Sequence, residues 1–136
     1  METAPAAMND YAEIRRMEPY CHGQFTEASG SPYYGRSHVH WLTGTASTIM
    51  VGCVEGILGM RPGLHGLRIE PAIPGEWEEI FIEKDFRGAH LDITIKNPLH
   101  LESGVKSLYI NGKKMPDNYI PADELSGQNE IIVMLS

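Results

Sequence analysis

Apolar positions recur along this chain with two different periods, and the change of period divides it. Ile49, Met50, Cys53, Val54, Ile57 and Leu58 fall three and four residues apart, the spacing of one helix face. Thr43 or Thr45 suits the N-cap of a helix running to about Leu58. Gly59 suits its C-terminal end with a positive φ, and Pro62 blocks continuation. Upstream, Tyr11 to Met17 predicts one or two helical turns ended by Pro19. The stretch from Gly23 to Arg36, with its Gly, Ser, Pro and paired tyrosines, predicts an irregular loop.

Beyond Arg61-Pro62-Gly63 the period falls to two. Leu67–Glu70, Ile80–Phe86, His90–Lys96, Lys106–Ile110 and Ile131–Leu135 read as short strands separated by Pro, Gly and Asn. Arg87-Gly88 predicts one hairpin turn, and Asn111-Gly112 is the strongest short turn signal in the chain. The alternation implies antiparallel strands with one packed and one wet face, in a β-sandwich lobe. Such a lobe can bury a core of its own. A single amphipathic helix with a loop cannot, so its apolar stripe needs the strand lobe, another copy of the chain, or helices from elsewhere.

Composition narrows the function. At 136 residues, 42% apolar and 21% charged, the chain fits a soluble globular protein of one domain, or a small domain plus part of another. A formal charge of −7 without any cluster of Lys and Arg beyond Lys106, Lys113 and Lys114 argues against nucleic acid as a partner. Cys21 and Cys53 form no C-x-x-C pair and read as buried free thiols in a reducing compartment. The amino terminus has no basic segment followed by an apolar one, so no secretory signal is expected. The stretch from Ile49 to Met60 is broken by Gly52, Glu55, Gly56 and Gly59, so no membrane span is expected either. A cytoplasmic location follows.

The densest chemistry lies in Ser37-His38-Val39-His40-Trp41-Leu42-Thr43-Gly44-Thr45-Ala46-Ser47. His38 and His40 would point the same way from an extended strand, yet no Cys or carboxylate flanks them at ligand spacing, so no metal is expected. No G-x-S-x-G elbow accompanies the hydroxyls. Glu76, Glu78 and Glu79 around Trp77 read as a solvated turn rather than a catalytic pair. Thr43-Gly44-Thr45 suits either a plain N-cap or an anion, since a helix start offers free N–H groups and a partial positive charge. Residue physics alone favours the cap.

The wording of the chain bears on that choice. Glu18-Pro19-Tyr20, Gln24-Phe25, and the run from Tyr34 to Ser47 resemble the C-terminal part of inverting β-glucoside phosphorylases. So do Ile57 to Pro62, Gly66 to Pro74, Trp77, and Phe86-Arg87-Gly88-Ala89. This family includes the cellobiose, chitobiose and cellodextrin phosphorylases. Arg36 to Trp41 and Val51 to Gly56 look most like the branch acting on cellodextrins or β-1,2-oligoglucans.

The resemblance implies a mixed α and β fold: residues 1–62 as terminal helices of a catalytic (α/α)6 barrel, then residues 63–136 as a small antiparallel β-sandwich lobe. It implies phosphorolysis of a β-glucosidic bond with inversion, giving an α-sugar 1-phosphate and needing no cofactor. Thr43 and Gly44 match positions that hold phosphate through a hydroxyl and a backbone N–H, and Gln24 matches a glutamine lining the sugar and phosphate site. No catalytic residue is expected here, because Asp10, Asp85, Asp92, Asp117 and Asp123 match no general-acid motif. The expected partners are inorganic phosphate, a β-glucan oligosaccharide, and either missing barrel helices or a second chain supplying them; self-association is the other outlet for the apolar helix face. The competing reading is a non-catalytic β-sandwich module that binds carbohydrate or protein, with Trp77 and Tyr109 as stacking surfaces.

Overall fold

The structure is a computed structural model that describes residues 12–18 and 21–136. Tyr11 and Pro19, the expected limits of the first helical turn, lie outside the described residues. The chain divides into two compact units, Met1–Val51 and Gly52–Ser136.

In the first unit, α1 (Ala12–Arg15) is a single turn. Strands β1 (Phe25–Thr26) and β2 (Ser37–His38) pair antiparallel, with Phe25 opposite His38 and Thr26 opposite Ser37. The stretch expected to be wholly irregular therefore starts within a short ladder. Met17 and Cys21 are the buried apolar side chains among its described residues, alongside buried Arg15 and Ser37. Helix α2 (Thr45–Val51) buries none of its residues, leaving Ile49, Met50 and Val51 exposed.

The second unit opens with a correction to the expected helix. Residues Gly52–Ile57 wind as a π-helix, and the Leu58 N–H donates to the Cys53 carbonyl five residues back at 2.9 Å. Gly52 and Gly56 have no Cβ to resist the wider winding. Cys53 is exposed, against the expectation of a buried thiol, whereas Cys21 is buried. Gly59 has φ +68° as expected of the helix end, and a Cβ built there would lie 2.0 Å from the Glu70 carbonyl carbon.

Eight strands follow in two sheets. Strands β3 (Met60–Pro62), β4 (Gly66–Ile69) and β9 (Tyr119–Pro121) make a three-stranded antiparallel sheet in the order β3-β4-β9. Strands β5 (Glu79–Phe86), β6 (Ala89–Lys96), β7 (Val105–Ile110), β8 (Lys113–Lys114) and β10 (Gln128–Leu135) make the larger one, ordered β5-β6-β10-β7-β8. Both expected hairpins form, with φ of 52° and 83° at Arg87-Gly88 and 49° and 80° at Asn111-Gly112. Two positive φ values in a two-residue loop match the right-handed twist of the flanking strands.

The sheet is not purely antiparallel. Strand β10 inserts between β6 and β7 and runs parallel to β6, from Gln128 opposite His90 to Met134 opposite Lys96. Alternation tells which face of a strand is packed, not which neighbour it takes, so nothing local encodes this insertion. Alternate residues of β6 (Ala89, Leu91, Ile93, Ile95) and of β10 (Ile131, Val133, Leu135) join Leu67, Ile69 and Ile120 of the smaller sheet in one apolar core. The loop after β6 is pinned by buried Asn97. Its amide N–H groups donate to the carbonyls of Trp77 (3.1 Å) and Leu101 (2.8 Å), and its oxygen accepts the Leu101 N–H (2.8 Å). Among the described residues the helical segments are one short turn, α2, the π-helical segment and a 3-10 turn at Ala122–Glu124, too few to establish the expected terminal helices of an (α/α)6 barrel.

Candidate functional site

Most of the residues singled out above lie in the first unit, and the β1–β2 ladder positions them. The Gln24 N–H donates to the His38 carbonyl at 2.9 Å, and the Glu27 N–H donates to the Arg36 carbonyl at 2.9 Å. Gly23 permits this approach, because a Cβ there would sit 3.0 Å from the His38 oxygen and 3.2 Å from the Ser37 Cβ. Gln24 is thereby fixed at the ladder's edge with an exposed side chain.

His38 stacks on Phe25, ring centroids 4.8 Å apart and planes 14° from parallel. Its Nε2 lies 3.0 Å from Glu27 Oε1, an ion-pair distance that lacks hydrogen-bond alignment. The two histidines do not point the same way along one strand. Val39 has φ +55° and Trp41 φ +65°, so the backbone leaves the extended region directly after His38. The His40 Nε2–H donates instead to the Ser37 carbonyl at 3.0 Å. Among the described residues no group of three or more His, Cys, Asp or Glu is placed to hold a metal.

The hydroxyls ahead of α2 serve its first turn. Thr43 Oγ1 accepts the Thr45 N–H at 3.2 Å and lies 2.8 Å from Thr45 Oγ1. The Gly44 carbonyl accepts the Thr48 N–H (3.1 Å) and the hydroxyls of Ser47 (2.9 Å) and Thr48 (3.0 Å). Gly44 itself is exposed, with nothing within 4 Å of where a Cβ would stand. Its N–H has no hydrogen-bond partner among the described residues, while its carbonyl accepts three hydrogen bonds. That geometry is a cap, and it leaves a donor free for an oxyanion.

Two open cavities lie in this unit. One of about 420 Å³ is walled by Arg16, Arg36, Ser37, His38, His40 and Trp41. The other, of about 630 Å³, is walled by Glu13, Ile14, Arg16, Tyr33, Tyr34 and Arg36. Gln24, Thr43 and Gly44 line neither of these two cavities. The arginines, Glu27 and the Phe25–His38 stack escaped the sequence reading as a group, since a cross-strand register is what assembles them.

In the second unit the clearest ionisable cluster is on the outer face of β5 and β6. His90 Nδ1 lies 2.8 Å from Asp85 Oδ1, and Nε2 lies 3.4 Å from Asp92 Oδ1. The hydrogen bond to Asp85, with the neighbouring charge of Asp92, raises the His90 pKa above its ordinary 6.5. Glu76 and Glu78 are exposed, Glu79 sits 3.6 Å from Lys96 Nζ, and no catalytic carboxylate pair is formed. Trp77 is 43% exposed, and Tyr109 is half-buried beside Lys114 on β8.

Comparison with known proteins bears on the first unit most directly. Residues 1–59 match the catalytic domain of the glycosyl hydrolase 94 superfamily. Across 96% of its length the chain is 34% identical to an N,N'-diacetylchitobiose phosphorylase of Vibrio proteolyticus, covering 16% of that protein. Across 76% it is 33% identical to a solabiose phosphorylase of Paenibacillus borealis, covering 14% of it. A 3-O-beta-D-glucopyranosyl-beta-D-glucuronide phosphorylase of the same organism is 34% identical over 61% of the chain and 11% of its own length. The chain thus spans about one sixth of the length of the relatives it matches or less. No helix among the described residues is long and apolar enough to cross a membrane.

Proposed function

The chain belongs to the glycosyl hydrolase 94 superfamily, and from that premise we propose that it forms the C-terminal segment of an inverting glycoside phosphorylase acting on β-glucan oligosaccharides. Its part is to present inorganic phosphate to the anomeric carbon, with Thr43 and Gly44 as the phosphate wall and Gln24 at the sugar. A phosphate dianion is already a nucleophile, so such a site needs oriented donors more than a general base. The observation that carries this reading is the exposed Gly44 at the start of α2, its N–H unpartnered while the hydroxyls around it are held on the backbone. Thr43 Oγ1 can turn from the Thr45 N–H to an oxyanion at the loss of one exchangeable hydrogen bond.

The acid that protonates the leaving oxygen comes from outside these 136 residues, from barrel helices in the same protein or in a partner chain. Exposed Leu42, Met50 and Val51 give those helices an apolar surface to cover. Without that partner, the same surface favours self-association. The unpaired thiols of Cys21 and Cys53 support a reducing, cytoplasmic setting. Incubating the chain with cellodextrins or β-1,2-glucan plus phosphate is expected to release no sugar 1-phosphate. Turnover by the chain alone would contradict the assignment of the acid to another segment.

A second reading has one observation in its favour. Trp77 is exposed beside β5, where Phe81 is exposed too, which suits a carbohydrate-binding face on the second unit. Oligosaccharide binding that survives deletion of residues 1–60 would favour that module over the phosphorylase segment.

A further inference from the structure

Three guanidinium groups crowd the β1–β2 ladder, and no carboxylate among the described residues pairs with any of them. Arg15 is 3% exposed; its Nε donates to Ser37 Oγ at 3.3 Å, and its buried Nη1 has no hydrogen-bond partner among the described residues. Arg16 and Arg36 are exposed and form no ion pair among the described residues. Both of them wall the 420 Å³ cavity and its neighbour alike. A buried cation with no counter-charge is destabilising, and an anion placed beside it offsets that cost. Ser37, which holds Arg15, is itself part of the cavity wall, so the buried charge stands one hydrogen bond behind the cavity.

The remaining walls are not those of a bare ion site. Trp41 and the two imidazoles line one cavity, and Tyr33 and Tyr34 line the other, with the Arg36 guanidinium 5.7 Å from the Tyr33 ring centroid. Aromatic faces beside paired guanidiniums suit a ring that carries an oxyanion. The opposing carboxylates are Glu13 in the second cavity and Glu27, which faces His38. We propose that the cavity walled by Arg16, Arg36, Ser37, His38, His40 and Trp41 is a subsite for an anionic saccharide, the oxyanion seated between the two exposed guanidiniums. Thr43 and Gly44 line neither cavity.

Calorimetric titration of the full 136-residue chain with glucose 6-phosphate, glucuronate, glucose and inorganic phosphate tests this. At least one of the two anionic sugars should bind about tenfold more tightly than glucose and than inorganic phosphate. The one that binds names the oxyanion as phosphate or carboxylate. Arg16→Gln and Arg36→Gln should each weaken it about tenfold, and Arg36→Lys, which keeps the charge but loses the planar fork, by less. Both arginines are exposed, and an unaltered circular dichroism spectrum would establish that the variants keep their fold. The proposal is overturned if no anionic sugar binds, if glucose binds as tightly, or if the arginine variants leave the binding of the anionic sugar unchanged. That last result would leave the phosphate wall standing and remove the subsite alone.

Discussion

Single positions in the second unit carry sharp steric and electrostatic demands. At Gly59 a side chain would meet both the carbon and the oxygen of the Glu70 carbonyl at 2.0 Å, on a backbone with φ +68°. Gly59→Ala should cost about 2–4 kcal/mol in chemical denaturation, well above a routine glycine substitution. His90 makes a prediction of opposite kind. Its folded pKa is raised, first by the Asp85 hydrogen bond, so the folded state binds the proton more tightly than the unfolded chain. Its stabilising contribution is full below the unfolded value of 6.5 and is lost as pH rises through the higher folded value. Melting curves collected from about pH 6 to pH 8 should show that loss, and His90→Gln should remove it. Gly59 was legible from its place between an apolar stripe and Pro62. The His90 cluster was not, because Asp85 meets it only across the hairpin closed at Arg87-Gly88.

Among the elements, strands with strict alternation were the most legible. Strands β5, β6, β7 and β10 fall within three residues of the expected limits, and both two-residue turns form where Gly follows Arg87 and Asn111. Strands β3, β8 and β9 were missed, being two or three residues long and too short to show a period. The parallel β6–β10 pairing was missed for another reason: alternation marks the packed face of a strand but not which neighbour it takes. Asn97→Ala removes a buried side chain that binds two carbonyls and one N–H of a partly exposed turn, and should cost about 2–3 kcal/mol in urea unfolding. In the helix, Val54 and Leu58 of the expected apolar stripe are half-buried, while Ile49, Met50, Cys53 and Ile57 are exposed. Its winding beyond Val51 was not legible, since the spacing of apolar residues does not report that Gly52 and Gly56 permit a wider turn.

At the scale of the whole molecule, the two units differ in how they are held. The second has a continuous apolar core in which Leu67, Ile69, Leu91, Ile95, Leu108, Ile120, Ile131 and Val133 are fully buried. Among its described residues the first buries little apolar surface beyond Met17 and Cys21 while exposing Trp41 at 66%, Leu42 at 82% and Met50 at 67%. Hydrogen exchange on the intact chain should therefore protect β6, β7 and β10 to the global limit and leave residues 21–51 exchanging through local opening. A hydrophobic dye should bind the chain and lose most of its signal in a Leu42→Glu, Met50→Glu double variant, with the melting temperature of the second unit unchanged. The candidate site shows the same division. Its one-dimensional part, Thr43-Gly44 at a helix start, could be read from the chain; its arginine-walled cavity needed the β1–β2 register.

The central claim is that Thr43 and Gly44 hold the attacking phosphate. Its most direct test is steady-state phosphorolysis of a cellodextrin by this chain assembled with the barrel segment proposed above, with and without Thr43→Val. The account predicts a KM for phosphate raised about tenfold, the loss of one charge-assisted hydrogen bond, with the KM for oligosaccharide little changed. A variant whose phosphate dependence matches that of the parent would contradict it.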